Sequence, residues 1–233
     1  ITLTVARCGS LDTTWVSNRC TRCHARCVSV LGAPRSGVAP TSGVELARLT
    51  SAPLSAVMLD VLTNSDNNAA ELLLKELGLA RTQNPSRTAG LQVVADVLAA
   101  RGVAMNGVVL ADGSGLDLGN RVTCATLTSL LNVFGFDSPI GASLAVAGTT
   151  GTLRDVLMTG PGSGRVRAKT GTLRNVKSLS GFFPTNGGSI TFALILNDAG
   201  VSNQSAYRPL WENLMKGLAT YRASPQEAQL LPR

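Results

Sequence analysis

The strongest constraint on the fold is a change of hydrophobic period part-way along the chain. Apolar residues recur at helical spacing up to about residue 157, run in strand-like blocks from residue 165, and return to helical spacing near residue 204. Leu54, Val57, Met58, Val61 and Leu62 form the stripe of a one-sided buried helix. It stops at Thr63-Asn64. A second helix follows Ser65-Asp66-Asn67, with Ala69, Leu72, Leu73 and Leu77 expected inward and Gly78 expected as the residue that ends it. A third spans 86–101 through Leu91, Val94, Val97 and Leu98, and halts at Gly102. Gly107 to Ala111 reads as a short apolar strand, and Asp112-Gly113-Ser114-Gly115-Leu116 as a turn-rich loop. Thr123 stands where it can cap a helix running to about Val133. A short helix is expected at Thr152–Leu157. Arg165–Ala168, Val176–Phe183 and Ser189–Asn197 read as strands, with a hairpin turn at Asn186-Gly187-Gly188. Ala206, Leu210, Leu214 and Leu218 mark a last helix over 204–221. Helices, then an antiparallel sheet, then a covering helix is an α+β order.

A chain of 233 residues has room for one or two domains and a sizeable core. Its 44% hydrophobic and 15% charged content excludes a disordered chain. No apolar run reaches the roughly 18 residues of a membrane helix. No signal peptide is visible. With Ile1 as the first residue, that says little about compartment. The net charge is +7, and residues 1–35 contribute much of it, with five arginines and one aspartate. No basic stripe with interleaved aromatics follows, so no nucleic-acid partner is expected.

Four of the five cysteines, Cys8, Cys20, Cys23 and Cys27, crowd the start of the chain. Cys20-Thr21-Arg22-Cys23-His24 fits a haem-attachment pattern, and Cys20, Cys23, His24 and Cys27 can be read as zinc ligands. Neither fits well. No apolar helical frame flanks the run, and Cys23 and His24 are adjacent, so they would struggle to face one ion. The odd cysteine count argues against a complete disulfide framework. Residues 1–40 show no sustained period and are left unassigned and irregular, without metal or cofactor. Cys124 lies on an apolar helix face and reads as a small core residue.

Two segments carry chemistry. Ser65-Asp66-Asn67 joins two helices, which fixes a hydroxyl between rigid elements; the same triplet is also a plain helix cap. Lys169-Thr170-Gly171-Thr172 offers a cation beside a glycine that lets another backbone approach; Lys169 also reads as a solvated strand-edge charge. Ser114 is flanked by glycines, but Asp112 breaks the Gly-x-Ser-x-Gly pattern of a nucleophile elbow. His24 is the single histidine and lies far from these segments, which argues against a Ser-His-Asp triad. The lysines are Lys75, Lys169, Lys177 and Lys216, and three residues before them stand Leu72, Val166, Arg174 and Asn213. The chain therefore holds no Ser-x-x-Lys.

Those motifs resemble the serine D-alanyl-D-alanine carboxypeptidase/endopeptidase family, the low-molecular-mass penicillin-binding proteins of the PBP4 type. Asp112-Gly113-Ser114-Gly115-Leu116 with Asn120-Arg121-Val122-Thr123 is similar to a family hallmark. So are Gly151-Thr152-Leu153, its echo Ala168-Lys169-Thr170-Gly171-Thr172-Leu173, and Leu179-Ser180-Gly181-Phe182. The resemblance covers roughly residues 43–220. It implies a penicillin-binding/β-lactamase-like fold: a helical subdomain plus an antiparallel sheet covered by a C-terminal helix, here a partial transpeptidase-like domain over 41–222 with a tail at 223–233. It implies acyl transfer on peptidoglycan peptides ending in D-Ala-D-Ala, acylation by β-lactams, no cofactor, and an extracytoplasmic setting. Ser65 would relay a proton to the leaving amine, Asn67 would hold the substrate backbone, and Lys169 would supply the cation for its carboxylate. Thr170, Gly171 and Thr172 would bind substrate, the Thr172 N–H serving as an oxyanion donor worth about 3–4 kcal/mol. The family's nucleophile is a serine one helical turn before a lysine, and its counterpart in this chain is unknown. Three alternatives stay open: a catalytically silent ligand-binding fragment, a β-lactamase or esterase on the same fold, and a metal- or haem-binding module at the start of the chain.

Overall fold

The computed structural model describes residues 2–6 and 45–221. The chain divides into two units, Ile1–Ala52 and Pro53–Arg233, whereas the sequence suggested a boundary near residue 41. In the first unit β1 (Thr2–Ala6) pairs antiparallel with β2 (Glu45–Thr50), Thr2 opposite Thr50. The start of the chain was expected to be irregular, but five residues are too few to reveal a period of two. The Cys8–Cys27 cluster and the 223–233 tail lie outside the described residues.

In the second unit, α1 (Leu54–Asn64), α2 (Asn67–Thr82) and α3 (Arg87–Ala100) come first. Then follow α4 (Cys124–Phe134), α5 (Pro139–Ser143), β3 (Ala145–Val146) and a 3₁₀ turn at Gly151–Leu153. The chain continues through β4 (Arg167–Leu173), β5 (Val176–Thr185), β6 (Gly188–Asn197) and α6 (Gln204–Ala219). The sheet order is β3-β4-β5-β6, with every pair antiparallel. The alternation of a strand sends Ala168, Leu179, Phe183 and Phe192 to one face, where Tyr207, Trp211 and Met215 of α6 close the main core. Phe182 points the other way and packs with Leu131 of α4 and Leu144. Helix starts follow the expected chemistry. Side-chain oxygens of Asp66, Ser86, Thr123 and Ser138 accept from the backbone three residues on, each cap worth about 1 kcal/mol.

Several expectations need correction. Gly78 does not end α2, which runs on to Thr82 and is closed by Gln83 at φ 59°. Gly78 is a packing point: a Cβ there would lie 2.6 Å from Asn84 O, and one at Gly90 would overlap Leu74 O. The α2–α3 contact therefore turns α2 so that Leu74 and Gly78 are buried, while Leu72 is 61% exposed and Leu77 43%. The expected strand at 107–111 is reduced to one bridge, Val109 with Arg121. β4 extends to Leu173 rather than stopping at Ala168. Cys124 is the first residue of α4 and is exposed, not core.

One close approach docks the helices on the sheet. Gly151 has φ 51°, and a Cβ there would overlap the carbonyl of Thr63 in the last turn of α1. Thr63 Oγ1 also donates to Ser143 O at 2.8 Å. Gly151→Ala combines a left-handed backbone with a steric clash. We expect it to lower unfolding free energy by about 1–3 kcal/mol in urea titration, while Gly187→Ala, on an open turn, leaves it little changed.

Candidate active site

The junction between α1 and α2 is made by two residues. Ser65 ends α1 in the left-handed conformation (φ 62°, ψ 52°), and Asp66 caps α2 by accepting from the Ala69 N–H at 3.0 Å. The cap reading of the Ser65-Asp66-Asn67 triplet therefore holds for Asp66, with Ser65 at the turn just before it. The sharp turn leaves the Ser65 hydroxyl half-buried and facing β4. There Lys169 Nζ donates to Ser65 Oγ at 2.6 Å, joining motifs separated by 104 residues, and to Thr170 O at 3.0 Å. Burial holds the Lys169 ammonium below lysine's ordinary range, since the charged form loses hydration. Lys169 is therefore no solvated edge charge. Asn67 opens α2 and is exposed.

The β4 edge is open beyond Ala168. β3 pairs with β4 only at Ala168 and Arg167, so among the described residues no strand flanks Lys169 to Leu173 on that side. Thr170 Oγ1 donates to Thr152 Oγ1 at 3.0 Å, tying this edge to the turn that seats α1. A Cβ on Gly171 would overlap Ser178 Oγ on the neighbouring strand. Lys177, opposite Thr172 in register, donates to Thr172 Oγ1 at 2.7 Å.

A cavity of about 700 Å³ opens between the Lys169 face of the sheet and the 109–122 loop, lined among others by Asp112, Ser114, Leu118, Lys169, Gly171 and Ser180. The loop is held by two carboxylates. Asp112 accepts from Ser114 Oγ, Asn120 Nδ2 and the N–H groups of Gly115, Leu116 and Asp117, all at 2.7–3.0 Å. Burial alone would raise its pKa; the donors, Asn120 foremost, outweigh that and pull it from 3.8 to about 2. Glu71 of α2 accepts from Gly113 N at 2.8 Å and Ser114 N at 3.0 Å, and pairs with Arg87 at 3.2 Å. Its pKa is lowered too, the N–H groups of Gly113 and Ser114 overcoming burial. Ser114 spends its proton on Asp112 and serves the loop. Glu71 and Lys177 were not singled out from sequence; each is an ordinary surface charge in pattern, and only tertiary contact gives it a role. Among the described residues no cluster of His, Cys, Asp and Glu could hold a metal ion, and no helix is long and apolar enough to cross a membrane.

The profile of the D-Ala-D-Ala carboxypeptidase 3 (S13) family matches residues 22–216. The chain belongs to this family. A D-alanyl-D-alanine carboxypeptidase of Actinomadura sp. (strain R39) is 38% identical over 160 residues, 65% of this chain and 30% of that protein. The carboxypeptidase DacB of Mycolicibacterium smegmatis is 33% identical over 174 residues, 70% of this chain and 38% of that one. The chain thus spans about a third of the length of these curated relatives. Among solved structures, penicillin binding protein 4 (dacB) of Haemophilus influenzae, complexed with a β-lactam, superposes with a TM-score of 0.68 at 26% identity. The match covers 77% of this chain and 45% of that one. The α+β, penicillin-binding/β-lactamase-like fold is therefore the family's. The family match begins inside the segment that the motifs left unassigned.

The Asp112 geometry has a pH signature. Its folded pKa is depressed, so the ionised carboxylate stabilises the loop fully above its ordinary value of 3.8, and that stabilisation is lost as pH falls through about 2. Amide resonances of Gly115, Leu116 and Asp117 should titrate together across this window. Asp112→Asn should abolish the shared transition.

Proposed function

We propose that this chain forms the substrate-holding and proton-relay half of a serine-type D-Ala-D-Ala carboxypeptidase/endopeptidase site acting on peptidoglycan stem peptides in an extracytoplasmic space. The observation that carries the reading is the 2.6 Å bond from Lys169 Nζ to Ser65 Oγ. A half-buried lysine with weakened hold on its proton, in contact with a hydroxyl, is a two-member path for moving that proton. Lys169 and Ser65 take those roles, and Asn67 borders the same junction and meets the substrate backbone. A substrate strand lies along β4 from Lys169 to Thr172, with Thr170 and Thr172 toward its terminal carboxylate and the Thr172 N–H toward the oxyanion. Family membership supports the reaction class. The Haemophilus influenzae neighbour binds a β-lactam, which supports β-lactams as ligands of the same edge.

The attacking group is a separate matter. Without Ser-x-x-Lys these 233 residues hold no serine activated in the family's manner, so the chain by itself binds without being acylated. The 24.1 kDa chain should take no covalent label from a fluorescent penicillin on a denaturing gel, and a labelled band would refute this. It should bind an N-acylated D-Ala-D-Ala peptide reversibly. Lys169→Ala should weaken that binding by about tenfold, the worth of a charged hydrogen bond. Equal affinity in wild type and variant would remove Lys169 from the site.

A further inference from the structure

Lys177 lies on β5 directly opposite Thr172, so the two side chains project from the same face of the sheet, the face covered by α6. Its ammonium sits 4.3 Å from the centre of the Tyr207 ring and 5.3 Å from that of Trp211. Both rings belong to α6, and both are buried. From this aromatic seat the ammonium donates to Thr172 Oγ1 at 2.7 Å. Lys169, two positions from Gly171 and of opposite parity to Thr172, projects to the other face.

We infer that Lys177 is a positioning residue that sets the Thr172 hydroxyl, and through it adds a second positive charge to the open β4 edge, selecting ligands that end in a free carboxylate. This rests on the reading of that edge as the carboxylate subsite. The chemistry is that of a hydroxyl, which has one proton to give and lone pairs to accept. A lysine ammonium can only donate. With Lys177 occupying a lone pair, the Thr172 proton is free to point away from the lysine, toward whatever lies along the edge. Contact with a cation also makes that proton a stronger donor, because charged hydrogen bonds polarise their neighbours. An anion at the edge is then bracketed, with Lys169 on the cavity face and Lys177 acting through Thr172 on the α6 face. The rings of Tyr207 and Trp211 attract the ammonium without taking any of its protons, so they hold it in place and leave it free to donate.

The test uses the 233-residue chain and two probes, N-acetyl-D-Ala-D-Ala and its C-terminal amide, with dissociation constants from NMR shift titration. Wild type should prefer the acid. Lys177→Met, which keeps the apolar stem over the rings, should weaken acid binding by about two- to fivefold, the range of an exposed charge interaction, and leave the amide unchanged. Thr172→Val should lose the same preference, and the double variant should lose no more than either single one. Lys177→Arg should restore it. An unchanged acid-to-amide ratio in Lys177→Met, or an equal loss on both probes, overturns the inference and leaves the function proposed above intact. A wild type with no preference for the acid would instead overturn the carboxylate reading of β4, and this inference with it. Lys177→Gln, which removes the charge and keeps a polar stem, carries the same decision should Lys177→Met fail to fold.

Discussion

The contact between Gly151 and the carbonyl of Thr63 sets the geometry of everything around it. A helix end and a strand edge must meet to within a hydrogen bond for Ser65 and Lys169 to touch. Side-chain packing alone leaves such a distance adjustable by a rotamer. Backbone against backbone does not. The next residue of the same turn, Thr152, reaches the neighbouring hydroxyl on β4, so one short 3₁₀ turn registers the helix and the strand against each other. Position 151 must therefore lack a side chain for two separate reasons, its left-handed backbone and its crowded surroundings.

The opposite wall of the cavity solves a different problem. The 112–120 segment has almost no regular ladder to pair its backbone and hold its path. Two carboxylates do both. Asp112 gathers donors from within the loop, and Glu71 ties the loop to α2. The helix that begins at the Ser65 junction thereby also carries the far wall of the cavity. Charge is cheap here because each carboxylate is paid in donors rather than in hydration, which is why both hold their protons so weakly.

Much of this was legible in the sequence where a local rule is also the deciding force. The α1–α2 junction, the cap at Thr123 and the β5–β6 hairpin follow from capping and turn chemistry, and each stands within a residue or two of its expected place. The misses are of one kind. Gly78 was read as a stop because glycine punctuates helices, yet it lets a second helix approach. The inward face of α2 was chosen by counting leucines, whereas the packing partner α3 chose Leu74. β4 was cut short at Ala168 because Lys169-Thr170-Gly171-Thr172 has no apolar alternation. A strand with an open edge needs little of it, since beyond Ala168 its register comes from β5 alone. Glu71 and Lys177 carry no pattern at all. Their partners lie on other elements, and no spacing rule along one chain can find them.

The open edge of β4 has a consequence for how recognition there can change over time. Its donors and acceptors belong to the main chain, and every residue except proline brings the same pair. A ligand lying along that edge would be held in part by main-chain groups that almost no codon change can delete. Loss of that part of the grip would have to come from reshaping the strand's path or its surroundings, in the Gly151 turn or the 112–120 loop, while the side chains of Lys169, Thr172 and Lys177 stay open to substitution. Drift in this protein should accordingly show in side chains on and around the edge rather than in the strand's own pairing groups.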